Sequence, residues 1–242
     1  MTTLDYFFFS AYPYVVIIVF LVVSIYRYTE KGFQVSSLSA QFLESKKGFW
    51  GTVPFHWGIL MVFLGHMVAF LLPDSVLAWN SDPVRLIAHE GLSFAFAVAV
   101  VVGLVGLILR RLLDPRLRVV TTRMDYFIEF ALLAQVLLGC WIALGYRWGS
   151  SWFAADLSPY LWSILKLNPQ TEAVVAMPLV IKAHIVGAFS IFLIFPFTRL
   201  MHILVAPFHY IWRPYQVVIW YWDRTRIRQA SSEWSKARPR NN

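Results

Sequence analysis

Residues 179–207 read LVIKAHIVGAFSIFLIFPFTRLMHILVAP, an apolar run that is long enough to cross a membrane and contains two histidines. His184 and His202 are 18 residues apart. In a continuous helix this is five whole turns, or about 27 Å, so both imidazoles would leave one face near opposite edges of a hydrocarbon core roughly 30 Å thick. Because ionisable side chains in a membrane face the bundle interior, each histidine needs a partner from another helix.

The composition predicts an integral membrane protein. Of the 242 residues, 59% are hydrophobic and 14% are charged, whereas soluble proteins carry about 25% charged residues. Five apolar segments are each long enough to span a bilayer. We therefore expect an all-α, five-helix transmembrane bundle with its termini on opposite sides. The segments cover about residues 6–26, 50–72, 92–109, 126–146 and 180–206.

The positions of the positive charges predict the orientation. The net charge is +8, and 17 of the 21 Lys and Arg residues fall in segments 27–47, 110–123 and 199–242. The positive-inside rule places these segments in the cytoplasm and the N-terminus outside. Because the charge serves topology and a docking surface, we expect no nucleic-acid binding. We divide the chain into a membrane domain, residues 1–212, and a basic cytoplasmic tail, residues 213–242.

The second span also carries two histidines, in the sequence FHWGILMVFLGH. His56 and His66 are ten residues apart, about 15 Å along a helix. Because the second and fifth spans are antiparallel, His66 pairs by depth with His184 near the outer face, and His56 pairs with His202 near the inner face. His209 is a competing inner candidate at the interface.

Two stacked pairs of imidazoles predict two haem b groups. Neutral imidazole suits haem iron, zinc, copper or nickel. A zinc site usually draws four ligands, and the spans offer almost no carboxylate apart from Glu129. Two imidazoles from facing helices match the axial ligands of a six-coordinate haem b, which carries electrons. The alternative is that these histidines are hydrogen-bonded packing residues.

Further candidates lie near the predicted outer haem. Arg85 and His89, in the loop after the second span, are among the titratable groups nearest to the outer haem. A cation or an imidazole there could bind and deprotonate a quinol, and Gly65 is a further candidate quinol-site residue. The alternative for Arg85 and His89 is a solvated loop. Gly58 and Gly65 would let a flat porphyrin approach the backbone. Equally, Gly65 and Ala69 would form a small-xxx-small pattern on this helix, against which another helix packs closely.

Arg110 and Arg111 are candidates for contacts with the propionates of the inner haem. They end the third span, where these propionates would emerge, and guanidinium groups pair well with carboxylates. The alternative is simple anchoring at the cytoplasmic surface. Within the fifth span, Pro196 predicts a kink between the two histidines, because proline removes one backbone hydrogen bond.

Four motifs resemble the haem-b gamma subunit of membrane-bound respiratory nitrate reductases: FFFSAYPY, FHWGILMVFLGH, RRLLDPRLRVVTTRMD and FPFTRLMHI. The resemblance covers about residues 5–212. It implies a distal haem held by His66 and His184 and a proximal haem held by His56 and His202. It also implies that quinol is oxidised near the outer face of a prokaryotic inner membrane. The electrons would then pass to an iron–sulfur beta subunit and a molybdenum-containing alpha subunit on the cytoplasmic side.

The sequence leaves three other functions open. The chain could be a dihaem subunit of another quinone-linked oxidoreductase, with electrons flowing in either direction. It could be a proton-relaying transporter whose histidines bind no haem, which predicts no haem absorbance. It could be a bare membrane anchor, which predicts tolerance to the loss of all four histidines. In every version with haem, the terminal reduction takes place on a partner subunit.

Overall fold

The computed structural model describes residues 2–30 and 49–204, and every regular element within them is helical. Five of its helices are long and apolar enough to cross a membrane, which confirms the predicted five-span all-α architecture. His209 and the predicted boundary at residue 212 lie outside the described residues. The spans are α1 (Thr3–Glu30), α2 (Phe49–Leu71), α4 (Pro83–Leu113), α6 (Arg123–Gly145) and a fifth span (Leu179–Phe197), whose α-helical part is α10 (Leu179–Ile194).

Shorter helices connect the spans. The first connection, α3, leads from α2 into α4, and a short turn, α5, joins α4 to α6. Three more short helices lie between α6 and α10. The bounds are α3 (Pro73–Asn80), α5 (Pro115–Val120), α7 (Gly149–Trp152), α8 (Ser158–Leu165) and α9 (Glu172–Ala176), with a π-helical turn at Phe153–Leu157 between α7 and α8.

The spans pack in an order that keeps the two histidine-bearing helices apart. In the described part of the chain, α2 packs extensively on α4, α4 on α6, α6 on α10, and α10 on α1. Extensive packing does not join α2 directly to α10 among these helices. The histidines of α2 therefore do not meet those of the fifth span through direct helix packing.

Glycines make the contact between α2 and α4 very close. A Cβ atom at Gly103 would lie 2.4 Å from the backbone nitrogen of Phe55, and one at Gly58 would lie 2.8 Å from Val100 Cγ2. Gly58 therefore faces α4, so the prediction that it faces a porphyrin is wrong. A Cβ at Gly65 would meet no atom within 4 Å. Of the predicted small-residue pair, Ala69 is buried, whereas Gly65 contacts no other helix among the described residues.

We call one end of the bundle the Asp5 end, because Asp5 forms an ion pair there with Lys182 at 3.4 Å. The short helices α7 to α9 pack at this end. Tyr160 is almost fully buried, and its hydroxyl donates to the Phe9 carbonyl (2.9 Å). The last turn of α2 is also tied down, since the Phe70 carbonyl accepts hydrogen bonds from Ser158 Oγ and Trp162 Nε1, each at 2.9 Å.

The fifth span is not one continuous helix, so the prediction of a single helical face for His184 and His202 is wrong. The helix α10 ends at Ile194, a 3-10 turn follows at Phe195–Phe197, Thr198 is extended, and a second 3-10 segment covers Arg199–Ile203. Pro196 accounts for part of this break, because it lacks an N–H group.

The side chain of Arg27 stabilises this break from α1. Its guanidinium group donates to the carbonyls of Pro196 and Thr198. The Thr198 hydroxyl also accepts from the Leu200 N–H at 3.2 Å, which caps the second 3-10 segment. The backbone groups that the interrupted helix leaves unpaired are thus satisfied by side chains. We call this end of the bundle, with Arg27, Arg111 and Arg199, the Arg27 end.

The region predicted as a loop after the second span is helical. Arg85 and His89 lie in the first two turns of α4, which begins at Pro83 rather than near residue 92. Asp82 caps this helix, because its Oδ1 accepts from the backbone N–H groups of Val84 (2.9 Å) and Arg85 (3.0 Å). The helical start fixes the direction in which these two side chains leave the backbone.

Candidate functional site

The two histidines of α2 share one hydrogen-bond arrangement. His56 Nδ1 donates to the Thr52 carbonyl (2.7 Å), and His66 Nδ1 donates to the Val62 carbonyl (2.8 Å). A carbonyl only accepts, so the proton of each neutral ring is on Nδ1 and the lone pair is on Nε2. Both residues are exposed, and no described residue forms a hydrogen bond with either Nε2. Each ring therefore presents the nitrogen that binds a metal.

His202 has the same arrangement in the 3-10 segment beyond the break. Its Nδ1 donates to the Arg199 carbonyl at 2.6 Å. The side chain of Arg199 is itself held, with Nε 2.9 Å from Asp125 Oδ1 and Nη2 donating to the Val120 carbonyl (2.8 Å). The start of α6 and the end of α5 thus position the turn that carries His202.

His184 is held differently, against α6. Its Nδ1 is buried and has no hydrogen-bond partner among the described residues. Its backbone carbonyl accepts from Gln135 Nε2 at 2.8 Å, and its ring lies over Gly139, where a Cβ would be 3.2 Å from His184 Cε1. The helix α6 therefore supplies both the polar anchor and the space for this imidazole. Sequence reasoning assigned no role to Gln135.

The structure brings His66 and His184 to the Asp5 end of the bundle. His184 is two residues from Lys182, the partner of Asp5. The His66 ring packs edge-on against Phe153, with 5.4 Å between the ring centroids. His66 and His184 are also within electrostatic range of each other. These two side chains thus lie near one another on helices that do not pack together extensively.

His56 lies nearer the Arg27 end. In the same part of α2, Gly51 packs against Gly106, which is five residues before Arg111. His202 belongs to this end as well, since its turn is fastened to the start of α6. In the described residues no hydrogen bond or ring contact joins His56 with His202. Their pairing stays a prediction.

An ion pair holds one of the two candidate propionate ligands. Arg111 Nε lies 2.5 Å from Glu129 Oε1, and Arg111 Nη1 donates to Thr121 Oγ1 at 3.3 Å. Glu129 is buried, and its second oxygen, Oε2, has no hydrogen-bond partner among the described residues. Arg111 thus links α4 to α6, a role that sequence reasoning missed. Contacts of Arg110 and Arg111 with propionates stay predictions.

The three quinol-site candidates have different surroundings. The space beside Gly65 is open. The guanidinium group of Arg85 lies over the ring of Trp79, 5.1 Å from its centroid, in a cation–π arrangement. His89 Nδ1 donates to Asn80 Oδ1 at 3.2 Å. All three residues lie toward the end of α2 that carries His66, but no contact joins them directly within the described residues.

These observations first define the class of protein. Five apolar helices make the chain a multi-pass membrane protein, and its intramembrane histidines present Nε2, a nitrogen that can bind a metal, which marks a functional path. The family model for nitrate reductase gamma subunits matches residues 5–221, and the chain belongs to this family. The predicted family is confirmed. The protein is a membrane electron-transfer subunit of the nitrate reductase type, in a prokaryotic cell membrane.

Three characterised relatives are similar over most of their length. The nitrate reductase gamma chain of Bacillus subtilis is 33% identical over 209 residues, covering 85% of this chain and 93% of the relative. The respiratory nitrate reductase 2 gamma chain of Escherichia coli is 34% identical over 220 residues, covering 89% and 96%. The respiratory nitrate reductase 1 gamma chain of the same organism is 32% identical over 223 residues, covering 90% and 98%.

Proposed function

We propose that this chain is a dihaem cytochrome b that oxidises quinol and passes the electrons to an iron–sulfur subunit of a nitrate reductase-type complex. His66 and His184 would hold the outer haem, and His56 and His202 the inner one. The observation that carries this proposal is the common tautomer of His56, His66 and His202. In each ring the N–H group is fixed by a backbone carbonyl, which leaves Nε2 as the metal ligand.

The chain's own residues orient the ligands and separate the two helices that carry them. A haem b held by two of these imidazoles would supply one-electron transfer. Backbone carbonyls set the ring planes of three histidines, and α6 holds the fourth through Gln135 and Gly139. Arg110 and Arg111 supply positive charge for the propionates of the inner haem.

The proposed quinol site lies at the Asp5 end, beside His66. Gly65 leaves space there, and Arg85 and His89 offer a cation and an imidazole to a quinol hydroxyl. We place this end outside the cell and the Arg27 end in the cytoplasm, because 17 of the 21 Lys and Arg residues then face inward. Protons from quinol are released outside while electrons move inward, so turnover builds membrane potential.

We infer that the partners bind at the cytoplasmic side. They are an iron–sulfur beta subunit, which accepts electrons from the inner haem, and a molybdenum-containing alpha subunit, which reduces nitrate. The basic residues of the Arg27 end suit such a docking surface. Copurification of an iron–sulfur protein with a tagged chain, and labelling of an N-terminal tag from outside intact cells, would support this arrangement. An N-terminal tag that is accessible only from the cytoplasm would show that the chain has the opposite orientation in the membrane.

The haem content tests the central claim. A reduced-minus-oxidised spectrum with pyridine haemochrome quantitation should give two haems b per chain. Replacing His66 or His184 by Ala should remove one haem, and replacing His56 or His202 should remove the other. As a control, His89→Ala should keep both. If the double change at His66 and His184 leaves two haems bound, the pairing is wrong.

The same spectrum separates the alternatives. A chain without haem from haem-supplied cells would leave the proton-relaying transporter as the explanation of the histidines. Full function after loss of all four histidines would indicate a bare anchor. Two haems reduced by the partner rather than by quinol would indicate a subunit of another quinone-linked oxidoreductase that reduces quinone.

A further inference from the structure

A directed chain of hydrogen bonds connects His89 with Glu90 through Asn80, the last residue of α3, and Ser150 in α7. His89 Nδ1 donates to Asn80 Oδ1 (3.2 Å), Asn80 Nδ2 donates to Ser150 Oγ (2.9 Å), and Ser150 Oγ donates to Glu90 Oε1 (2.5 Å). The directions are fixed because a carboxylate and an amide oxygen only accept and an amide NH₂ only donates. The neutral His89 ring therefore has its proton on Nδ1 and its lone pair on Nε2.

The middle of this chain is rigidly held. Asn80 is 7% exposed, and its Nδ2 also donates to Ser151 Oγ at 3.0 Å. The backbone N–H of Ser150 donates to the same Glu90 oxygen, at 2.8 Å, so Glu90 is fixed by two bonds from one residue. His89 itself is only partly buried, which leaves its ring accessible from outside the chain. The network thus fixes one nitrogen of the imidazole and leaves the other available.

The network lies beside the proposed outer haem ligand. Ser150, in α7, is three residues before Phe153, and the Phe153 ring packs on His66 at 5.4 Å. On the other side, Arg85 lies one turn before His89 on α4 and stacks on Trp79, the neighbour of Asn80. A cation, an oriented imidazole and the candidate haem ligand are therefore gathered at one end of the bundle.

We propose that His89 is the base that accepts quinol protons at Nε2, that Asn80 orients its ring, and that Glu90 stabilises the imidazolium form through the hydrogen-bond chain. This inference rests on the proposed quinol oxidation and adds a positioning residue and an electrostatic one to it. The amide of Asn80 does not carry protons, so Glu90 acts by its charge and is not the proton acceptor.

The step balances without any added reagent. Oxidation of a quinol breaks two O–H bonds, forms two C=O bonds, and yields two protons and two electrons. Each proton passes to His89 Nε2 and from there to water, which leaves the base free for the next one. The two electrons would be accepted one at a time by the outer haem of the proposed function, which His66 and His184 would hold. An oriented base contributes about 100-fold or more to such a proton transfer.

The test uses the haem-containing complex in membranes, with menadiol as the quinol, and follows haem reduction by stopped flow. His89→Gln should lower the rate about 100-fold with haem content unchanged. Asn80→Leu keeps the side-chain volume but removes the hydrogen bonds to His89 and Ser150. It should lower the rate of haem reduction about tenfold, because the His89 ring loses its orientation. Asn80→Asp keeps an acceptor for Nδ1 but removes the donor to Ser150, and its own carboxylate takes over the stabilisation of the imidazolium, so it should restore most of the rate. Ser81→Ala is the matched control, because among the described residues the Ser81 hydroxyl donates to the Ala78 carbonyl and takes no part in the network.

A second measurement does not depend on turnover. The ¹⁵N NMR signals of histidine-labelled protein, with His89 assigned by their loss in His89→Gln, should show the Nδ1–H tautomer in the wild type and in Asn80→Asp. In Asn80→Leu they should show a tautomer mixture. An unchanged tautomer and rate in Asn80→Leu would overturn the positioning role. If the rate of haem reduction in His89→Gln is within about twofold of the wild-type rate, His89 is not the base that accepts the quinol protons.

These measurements distinguish failure of the proposed function from failure of the His89 assignment. If menadiol does not reduce the haems of the unmodified complex, or if there are no haems, the proposed function fails. If menadiol reduces them normally and His89→Gln behaves as wild type, quinol oxidation stands and only the assignment of His89 falls.

Discussion

Gly139 on α6 lies directly against the imidazole of His184 on α10, with its Cβ position 3.2 Å from His184 Cε1. The glycine is needed for space, since a side chain here would press on the ring. Nothing on α10 itself fixes the ring, because Nδ1 of His184 has no partner among the described residues. The position of this imidazole therefore depends on its neighbours on α6.

Gly139→Ala should weaken binding of the outer haem. The added methyl group pushes the His184 ring by a few tenths of an ångström away from its present position. Because axial ligation depends on ring geometry, we expect fewer haems per chain when haem supply is limited, with the inner haem retained. Pyridine haemochrome quantitation measures this. Gly91→Ala is the matched control, as its Cβ meets no atom within 4 Å; equal haem content in both variants would contradict the prediction.

Gly103→Ala should destabilise the whole bundle. Its methyl group would lie 2.4 Å from the Phe55 nitrogen and 2.7 Å from the Phe55 Cα. These are backbone atoms, so α2 and α4 must separate, at a cost of about 3 kcal/mol or more. Denaturant titration in detergent micelles gives the free energy of unfolding. Gly91→Ala serves again as the control and should unfold as the wild type does.

The sequence was sufficient to predict five spans but not the end of the fifth helix. Hydropathy and length report on burial in lipid, and that signal is strong here. Pro196 predicted a kink, whereas the complete break also depends on Arg27, which is 169 residues away and donates to the carbonyl of Pro196. A contact of that range has no local sequence signal. The break then removed the helical register that linked His184 to His202.

The candidate site was only partly predictable, because some of its residues have a local sequence signal and others depend on long-range contacts. The histidines are rare polar residues in apolar sequence, so they stand out. Asn80 and Ser150 are ordinary residues in a polar connection, and only the fold places them between His89 and Glu90. The contact surface of a glycine is equally invisible in sequence. Gly58 and Gly65 lie on the same helix, yet one packs on α4 and the other faces open space.

Tyr160→Phe should lower stability and change its dependence on pH. The variant loses the hydrogen bond to the buried Phe9 carbonyl, which costs about 1–3 kcal/mol. Burial, together with the neighbouring Tyr14, raises the pKa of Tyr160 above its usual value. The folded protein thus keeps the phenol neutral, and its contribution to stability is lost as the pH rises above about 10, where the unfolded chain ionises.

Melting temperatures measured from pH 8 to pH 11 check this prediction, with roughly pH 10 as the point where the curves should diverge. The alkaline decline should be smaller in Tyr160→Phe than in the wild type. Tyr6→Phe is the control, because Tyr6 is 62% exposed. A decline of equal slope in wild type and Tyr160→Phe would mean that another group causes it.

Glu129→Ala should lower the free energy of unfolding more than replacing both residues of its ion pair with Arg111 does. It leaves Arg111, whose side chain is only 18% exposed, as an uncompensated charge between α4 and α6. Breaking such a pair costs about 3–5 kcal/mol, whereas replacing both partners by apolar residues is often neutral. The double change Arg111→Met with Glu129→Leu should therefore recover most of the lost stability. Unfolding free energies in detergent decide this, and a double variant as unstable as Glu129→Ala would contradict it.

Asp125→Asn should act selectively on the inner haem. Asp125 holds the Arg199 side chain at 2.9 Å, and the Arg199 carbonyl accepts the Nδ1–H of His202. Weakening this anchor frees the turn that carries His202, so the inner haem should shift in reduction potential or be lost. The outer haem should keep its potential, because α6 holds His184 through Gln135, ten residues further along the helix.

A redox titration of the purified protein, with low-spin haem signals followed by electron paramagnetic resonance, resolves the two haems. Asp82→Asn is the matched control, since Asp82 caps α4 at the Asp5 end, where its Oδ1 accepts from the N–H groups of Val84 (2.9 Å) and Arg85 (3.0 Å). A change confined to the outer haem would mean that His202 is not held in this way. Changes in both haems would mean that Asp125 acts on the bundle as a whole, through its capping of α6.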